Sequence, residues 1–280
     1  MTDMIDFEIA GGSVTGRDHI RTGKNCQDAY AFFNKDIAAA VVCDGCGSSD
    51  HSEVGAKIGA KIVLASLLMH FRAAPELFQL ANTPKNPGLQ LVQRSVLTKL
   101  QGLAEVMSGS FSENVSNYFL FTIMAALIDR KTGKAYVFGC GDGLFYVNGV
   151  PTHIPSPNNA PAYLSYNLVD TDRAAPDLGV LWMGDATSVK SILIGTDGVA
   201  DLASGHDRAI PGKEEKIGPI SQFWEKDGFF RNPFAIGHRL SLINRSLHKI
   251  DWEKKALNET NGPLRDDATF VVIRQKKERA

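Results

Sequence analysis

The sequence predicts an α+β fold, with antiparallel sheets and helices layered on their outer faces. Three observations carry this. Two long segments, 52–73 and 89–107, repeat small and apolar residues at helical spacing, so helices come as a block. Apolar runs of strand length come in series. And "ALIDRKTGKAYVFGCGDGLFYVNG" (126–149) is a meander, its apolar runs broken by R-K-T-G, G-D-G and N-G turn signals. Blocks of helices beside runs of strands argue against alternating βαβ units.

The strand-like runs are 7–14, 28–34, 37–43, 118–129, 134–140, 144–148, 163–169, 189–196 and 268–274. In the first long helix the stripe is Val54, Ile58, Ile62, Ala65 and Met69; in the second it is Leu89, Val92, Val96, Leu100, Leu103 and Met107. A third helix is expected over 233–250, opened by Pro233 and carrying Phe234, Leu240, Ile243, Leu247 and Ile250. "ANTPKNPG" (81–88) and "HIPSPNNAPA" (153–162) read as loops, and "RQKKERA" as a solvated tail.

With 280 residues, 44% hydrophobic, the chain can bury a full core, and a single domain over 1–280 is expected. A net charge of -1 gives no basic excess for nucleic acid or an anionic membrane. The start "MTDMIDFEIA" lacks a basic n-region, and "YFLFTIMAALI" (118–128) falls short of the roughly 20 residues of a membrane span. Four cysteines make no disulfide framework. A cytoplasmic, monomeric protein is expected.

The chemistry lies in a set of aspartates. Asp44, Asp142 and Asp197 each end an apolar run and precede a glycine; Asp266 and Asp267 precede the strand "ATFVVI"; Asp28 lies in "NCQDAYAFF". Singly, an Asp-Gly pair is a turn, as Asp227-Gly228 is expected to be. As a set they need neutralising, since two charges about 4 Å apart repel by about 4 kcal/mol at an effective dielectric near 20. Hard oxygen ligands suit Mg²⁺ or Mn²⁺.

Cys43 and Cys46 make a C-x-x-C around Asp44. A redox pair would open a helix, whereas "GSSD" follows here; a zinc knuckle needs a second ligand pair, and Cys26 and Cys140 are isolated. The G-x-G-x-G within "FGCGDGLFYV" precedes a strand, not the helix of a dinucleotide site. His19 and His51 lie near the site motifs.

Taken together, these motifs resemble the metal-dependent Ser/Thr protein phosphatases of the PPM or PP2C type. "VVCDGCG" resembles their V-x-D-G-[HM]-G, "GCGDG" their G-D-S-R turn, "ILIGTDGVAD" their [AS]-T-D-G-x-x-D, and "RDDATFVVI" their closing D-[ND]-x-[ST]-x-[VI]. "GKNCQDAY" stands at their R-x-x-[NM]-E-D, in a form similar to a bacterial sub-branch. The motifs keep family order over 11–274.

The resemblance implies a four-layer αββα sandwich of two antiparallel sheets flanked by helix pairs, with two Mn²⁺ or Mg²⁺ ions at one end. Asp44 would bridge both metals. The Gly45 carbonyl and Gln27 would hold the second, Asp197 and Asp266 the first; Asp28 would act through water. Asp142 and Asp201 match a third, weaker position. The metals would activate a water for attack on a phosphoserine or phosphothreonine protein, the product of a Ser/Thr kinase. Three positions depart from the family: its metal-binding Glu is Gln27, its phosphate-gripping Arg falls at Gly23, and the His of the eukaryotic D-G-H-G is Cys46. Lys24, ahead of Arg21, is the expected substitute grip on phosphate. The alternative is a pseudophosphatase that binds phosphoproteins without turnover.

Overall fold

The computed structural model describes residues 6–80, 85–169 and 176–276. In chain order the strands are β1 (Phe7–Val14), β2 (Asp28–Asn34), β3 (Ile37–Asp44), β4 (Ile123–Asp129), β5 (Lys134–Cys140) and β6 (Gly143–Val147). They continue with β7 (Val150–Ile154), β8 (Gly179–Asp185), β9 (Ser191–Gly195), β10 (Ser246–Asp251), β11 (Ala256–Asn261) and β12 (Ala268–Gln275). The helices are α1 (Arg17–Thr22), α2 (Ser52–Ala73), α3 (Pro87–Val106), α4 (Phe111–Tyr118) and α5 (Tyr166–Val169). Then follow α6 (Val199–Ser204), α7 (Gln222–Glu225), α8 (Gly228–Arg231) and α9 (Ala235–Ile243).

Two five-stranded antiparallel sheets run β2-β3-β4-β5-β8 and β1-β12-β9-β6-β7; β10 and β11 form a separate hairpin. Strand alternation builds the layers. In β3, Ala39, Val41 and Cys43 pack under α2 and α3, while Ala38, Ala40 and Val42 face the second sheet. In β12, Val271 and Ile273 point inward between the sheets, while Phe270 and Val272 meet Ile236, Leu240 and Ile243 of α9. The result is helix, sheet, sheet, helix, as the sequence predicts. The outer layers differ in weight: α2 and α3 are long, while α9 is nine residues and joined by shorter helices.

Long elements formed where their periodicity is strong. Ser110 and Glu113 close a capping box on α4, and the Asn86 side chain accepts from Leu89 N to cap α3. Three expectations are corrected. Residues 163–169 hold the one-turn α5, not a strand: Leu168 N bonds Ser165 O locally. Residues 118–122 close α4 and its turn, so β4 begins at Ile123. The helix over 233–250 stops at Ile243, and Leu247 and Ile250 belong to β10; Asn244 ends the helix because its side chain bonds Thr15 O and Leu264 N instead. The loop expected over 81–88 and the tail over 274–280 lie partly outside the described residues.

The buried face of α2 is not the stripe read from its largest side chains. Val54 and Met69 are exposed, whereas Gly55, Ala56, Gly59, Ala60, Val63, Leu67 and Phe71 are buried. Small residues face inward because α2 lies at very short range against Tyr118 at the end of α4 and against the Phe121 ring. α2 is long and apolar enough to cross a membrane by composition, but half of its apolar window is buried in this core. A Cβ on Gly55 would lie 1.4 Å from the Tyr118 carbonyl oxygen. Gly55→Ala is therefore expected to cost about 3 kcal/mol or more, read as a lower denaturant midpoint. An unchanged midpoint would show that α2 and α4 do not meet this closely.

Candidate active site

Antiparallel order brings one set of strand ends together. Asp28 at the start of β2 pairs in register with Asp44 at the end of β3. Ile123 at the start of β4 pairs with Cys140 at the end of β5, and Gly195 at the end of β9 lies between Leu144 and Phe270. At this end opens a pocket of about 360 Å³. Its walls include Gln27, Asp44, Gly45, Asp142, Asp197 and Asp266.

Each group is held by its local backbone. Asp44 N donates to Thr122 Oγ1 at 3.3 Å, and its carbonyl accepts from Thr122 N at 2.8 Å, fixing the end of β3. Gly45 passes so close to Ser52 that a Cβ would lie 2.8 Å from the Ser52 Cβ. Asp142 stands between Gly141 (φ +94°) and Gly143 (φ +136°), a turn that needs glycine on both sides. Asp28 lies buried beneath the pocket and accepts from Thr196 Oγ1 at 2.8 Å.

Asp267 neighbours Asp266 but serves differently. Its buried carboxylate accepts Gly16 N at 2.7 Å and Gln27 N at 2.6 Å, and His19 Nδ1 lies 3.0 Å away. Alternation along the chain leaves Asp266 on the pocket wall, 3.8 Å from His19 Nδ1. His19, Asp266 and Asp267 thus present three potential ligand atoms within 4.8 Å of one another. His19, Thr122 and Tyr163 also line the pocket. Of these, only His19 had a signal in sequence, its place beside the "GKNCQD" motif.

Besides Asp28, two more expected residues, Lys24 and Asp201, stand outside the pocket walls. Lys24 Nζ donates to Gly47 O at 2.8 Å and so straps the rim, not the floor. Asp201 lies in the first turn of α6. The C-x-x-C divides: Cys43 is buried under α2, and Cys46 opens to the pocket, 3.1 Å from Ser48 Oγ. All four cysteines are free.

The electrostatics are those of crowded anions. Among the described residues, no lysine or arginine forms an ion pair with Asp28, Asp44, Asp142 or Asp197. Burial pushes Asp28 and Asp44 well above the usual carboxylate range, and neighbouring carboxylates add to it. Asp197 is pushed up to about 6 by burial and then by Asp266 and Asp142. A carboxyl raised in the folded state holds its proton more tightly than in the unfolded chain. Its stabilising contribution is complete below the unfolded value of 3.8 and is lost as pH rises through about 6. Metal-free protein should therefore melt at a lower temperature at about pH 7.5 than at about pH 5, and Mn²⁺ should remove most of that difference. Asp197 opens to solvent, so screening reduces its share. A metal-free Tm that stays flat or rises over this window would contradict the crowding.

The Gln27 amide gives the clearest sign of what the pocket accepts. Its Nε2 donates to Ser52 Oγ at 2.7 Å, while its Oε1 is buried without a partner. An orphaned buried oxygen beside unpaired carboxylates fits a hard divalent cation.

Comparisons with known proteins bear on the family and the fold. Residues 15–228 match the family model described as protein phosphatase 2C. A crystal structure of a bacterial serine phosphatase is similar at 16% identity and a TM-score of 0.51, covering 98% of this chain and 100% of that one. The serine/threonine phosphatase Stp1 from Staphylococcus aureus is similar at 16% identity and a TM-score of 0.50, covering 97% and 96%. No curated protein sequence matches. At this identity the structural likeness speaks for the fold, and the family match spans most of the sequence: the chain belongs to the protein phosphatase 2C family.

Proposed function

We propose that the protein is a metal-dependent phosphatase of phosphoserine and phosphothreonine proteins. The observation that carries this is the pocket of crowded carboxylates, where no lysine or arginine among the described residues pairs with Asp44, Asp142 or Asp197, beside the orphaned Gln27 oxygen. Asp44, Asp197 and Asp266 and the Gly45 carbonyl would hold two Mn²⁺ or Mg²⁺ ions, with Gln27 offering its Oε1 and Asp28 acting from below. Asp142, with Asp201 outside the wall, would serve a third, weaker position. Bound there, the cations supply charge for the phosphoryl oxygens and make a water acidic enough to attack phosphorus. The chain's own residues do the rest. Thr196 and Thr122 fix Asp28 and the Asp44 backbone, and Asp267 fixes the Gln27 backbone. His19 on the wall and Lys24 at the rim could offer a donor or a cation to an entering phosphate.

Turnover of para-nitrophenyl phosphate and of a phosphothreonine peptide, in reducing buffer, tests the reading. Activity is expected with millimolar-range Mn²⁺ and is expected to vanish in excess EDTA. Full activity in EDTA would sink it. Phosphoprotein binding without turnover would favour the pseudophosphatase, which Gln27 and Gly23 would suit.

A further inference from the structure

A second cleft, of about 470 Å³, lies on the other side of α1 from the aspartate pocket. Its lining includes Val14 and Ile20, the hydroxyls of Ser13 and Ser241, and Arg245 and Ser246 at the base of the β10–β11 hairpin. Neighbouring residues of the chain face the two cavities. His19 lines the pocket and Ile20 the cleft; Gln27 lines the pocket and Cys26 the cleft. Consecutive Cα atoms are about 3.8 Å apart.

This part of the chain is fixed to the hairpin base. Arg17 Nη1 donates to Gly262 O at 3.3 Å, Asn244 Nδ2 to Thr15 O at 3.1 Å, and Arg17 N to Leu264 O at 3.1 Å. Among the described residues, Arg245 is the only charged one lining the cleft. Its Nε is spent on Pro211 O at 2.6 Å, which fixes the guanidinium plane. Among the described residues, no carboxylate pairs with it and no acceptor takes its remaining donors. Ile20 beside it is 61% exposed, an apolar edge on an open cleft.

We propose that this cleft receives an acidic side chain of the phosphoprotein substrate, lying near the phosphorylated residue in sequence. The inference rests on the phosphatase reading above. An extended chain advances about 3.3 Å per residue, so a side chain two to four residues from the phosphorylated one reaches about 7–13 Å to either side of it. The charges match: carboxylates line the pocket where cations would receive the phosphate, and Arg245, with no ion-pair partner among the described residues, lines the neighbouring cleft. An Arg–carboxylate pair formed at such a partly open site is worth about fivefold in affinity.

Three phosphothreonine peptides test this with the Mn²⁺-loaded protein: one with glutamates at the two to four positions before the phosphothreonine, one with them after it, and one with glutamines at both. One acidic peptide is expected to exceed the glutamine peptide about fivefold in kcat/KM, through KM. Arg245→Gln should bring that ratio to about one. Ile20→Glu, a substitution at an exposed position, should bring it below one by opposing the acidic side chain. Reading ratios makes the result independent of any general loss of activity. Equal kcat/KM for all three peptides, or a ratio that survives both substitutions, would overturn the cleft while leaving the phosphatase reading intact. Absence of turnover on every peptide and on para-nitrophenyl phosphate would overturn both.

Discussion

Asp44→Asn and Asp197→Asn are each expected to lower turnover of an aryl phosphate by about a thousandfold, equivalent to about 4 kcal/mol of transition-state stabilisation. Asn keeps the shape and one oxygen but removes the charge that would hold a divalent cation. Asp44 is the more exacting case, because it faces Asp28, Asp197, Asp266 and Asp142 at once. The substitutions should not harm the fold. Taking one charge from a cluster of like charges relieves repulsion, so in EDTA the Tm of either variant should equal or exceed wild type near pH 7.5. The pairing of loss of turnover with gain of metal-free stability separates this account from one in which the aspartates merely cap turns. A capping role predicts lower Tm and little change in rate. An Asp197→Asn protein with near-wild-type turnover would show that the pocket is not where hydrolysis occurs.

Gln27→Glu is expected to lower the half-saturating Mn²⁺ concentration by about tenfold, with little change in maximal rate. An amide oxygen offers a dipole where a carboxylate would offer a full charge. In the metal-free protein the same change should be destabilising. It removes the Nε2 donor that now serves Ser52 Oγ, and it places another anion among Asp28, Asp44 and Asp267. The Ser52 hydroxyl can turn to donate instead, so the fold is expected to survive. Opposite signs for metal affinity and apo Tm are the signature. If metal dependence is untouched while apo Tm falls, the orphaned Oε1 is a packing feature and cations bind without Gln27.

Much of this was legible in the sequence, for identifiable reasons. Asp44, Asp142 and Asp197 could be found because each ends a buried apolar strand and meets a glycine, a pattern written along the chain. Antiparallel order then brings the ends together without further information. Side-chain size points to the wrong stripe on α2, because close packing selects Gly55 against the Tyr118 carbonyl and Gly59 against the Phe121 ring. Leu247 and Ile250 stand at helical i, i+3 spacing, which extends the local pattern to 250, although in β10 that spacing puts them on opposite faces. What ends α9 is the Asn244 side chain reaching Thr15 and Leu264, a long-range choice no local pattern records. Asp266 and Asp267 looked alike in sequence. Their different duties follow from which one meets the Gly16 and Gln27 amides.

Counting bound Mn²⁺ tests the central claim most directly, because it asks the pocket itself what it holds. With wild-type protein at equilibrium, the electron paramagnetic resonance signal of free Mn²⁺ should report about two ions bound per chain, the second more weakly than the first. Asp44→Asn, which removes the residue proposed to bridge both, should bind fewer than one at the same free concentration. Wild type that binds no Mn²⁺ at millimolar-range concentration, or an Asp44→Asn variant that binds as wild type does, would contradict the account.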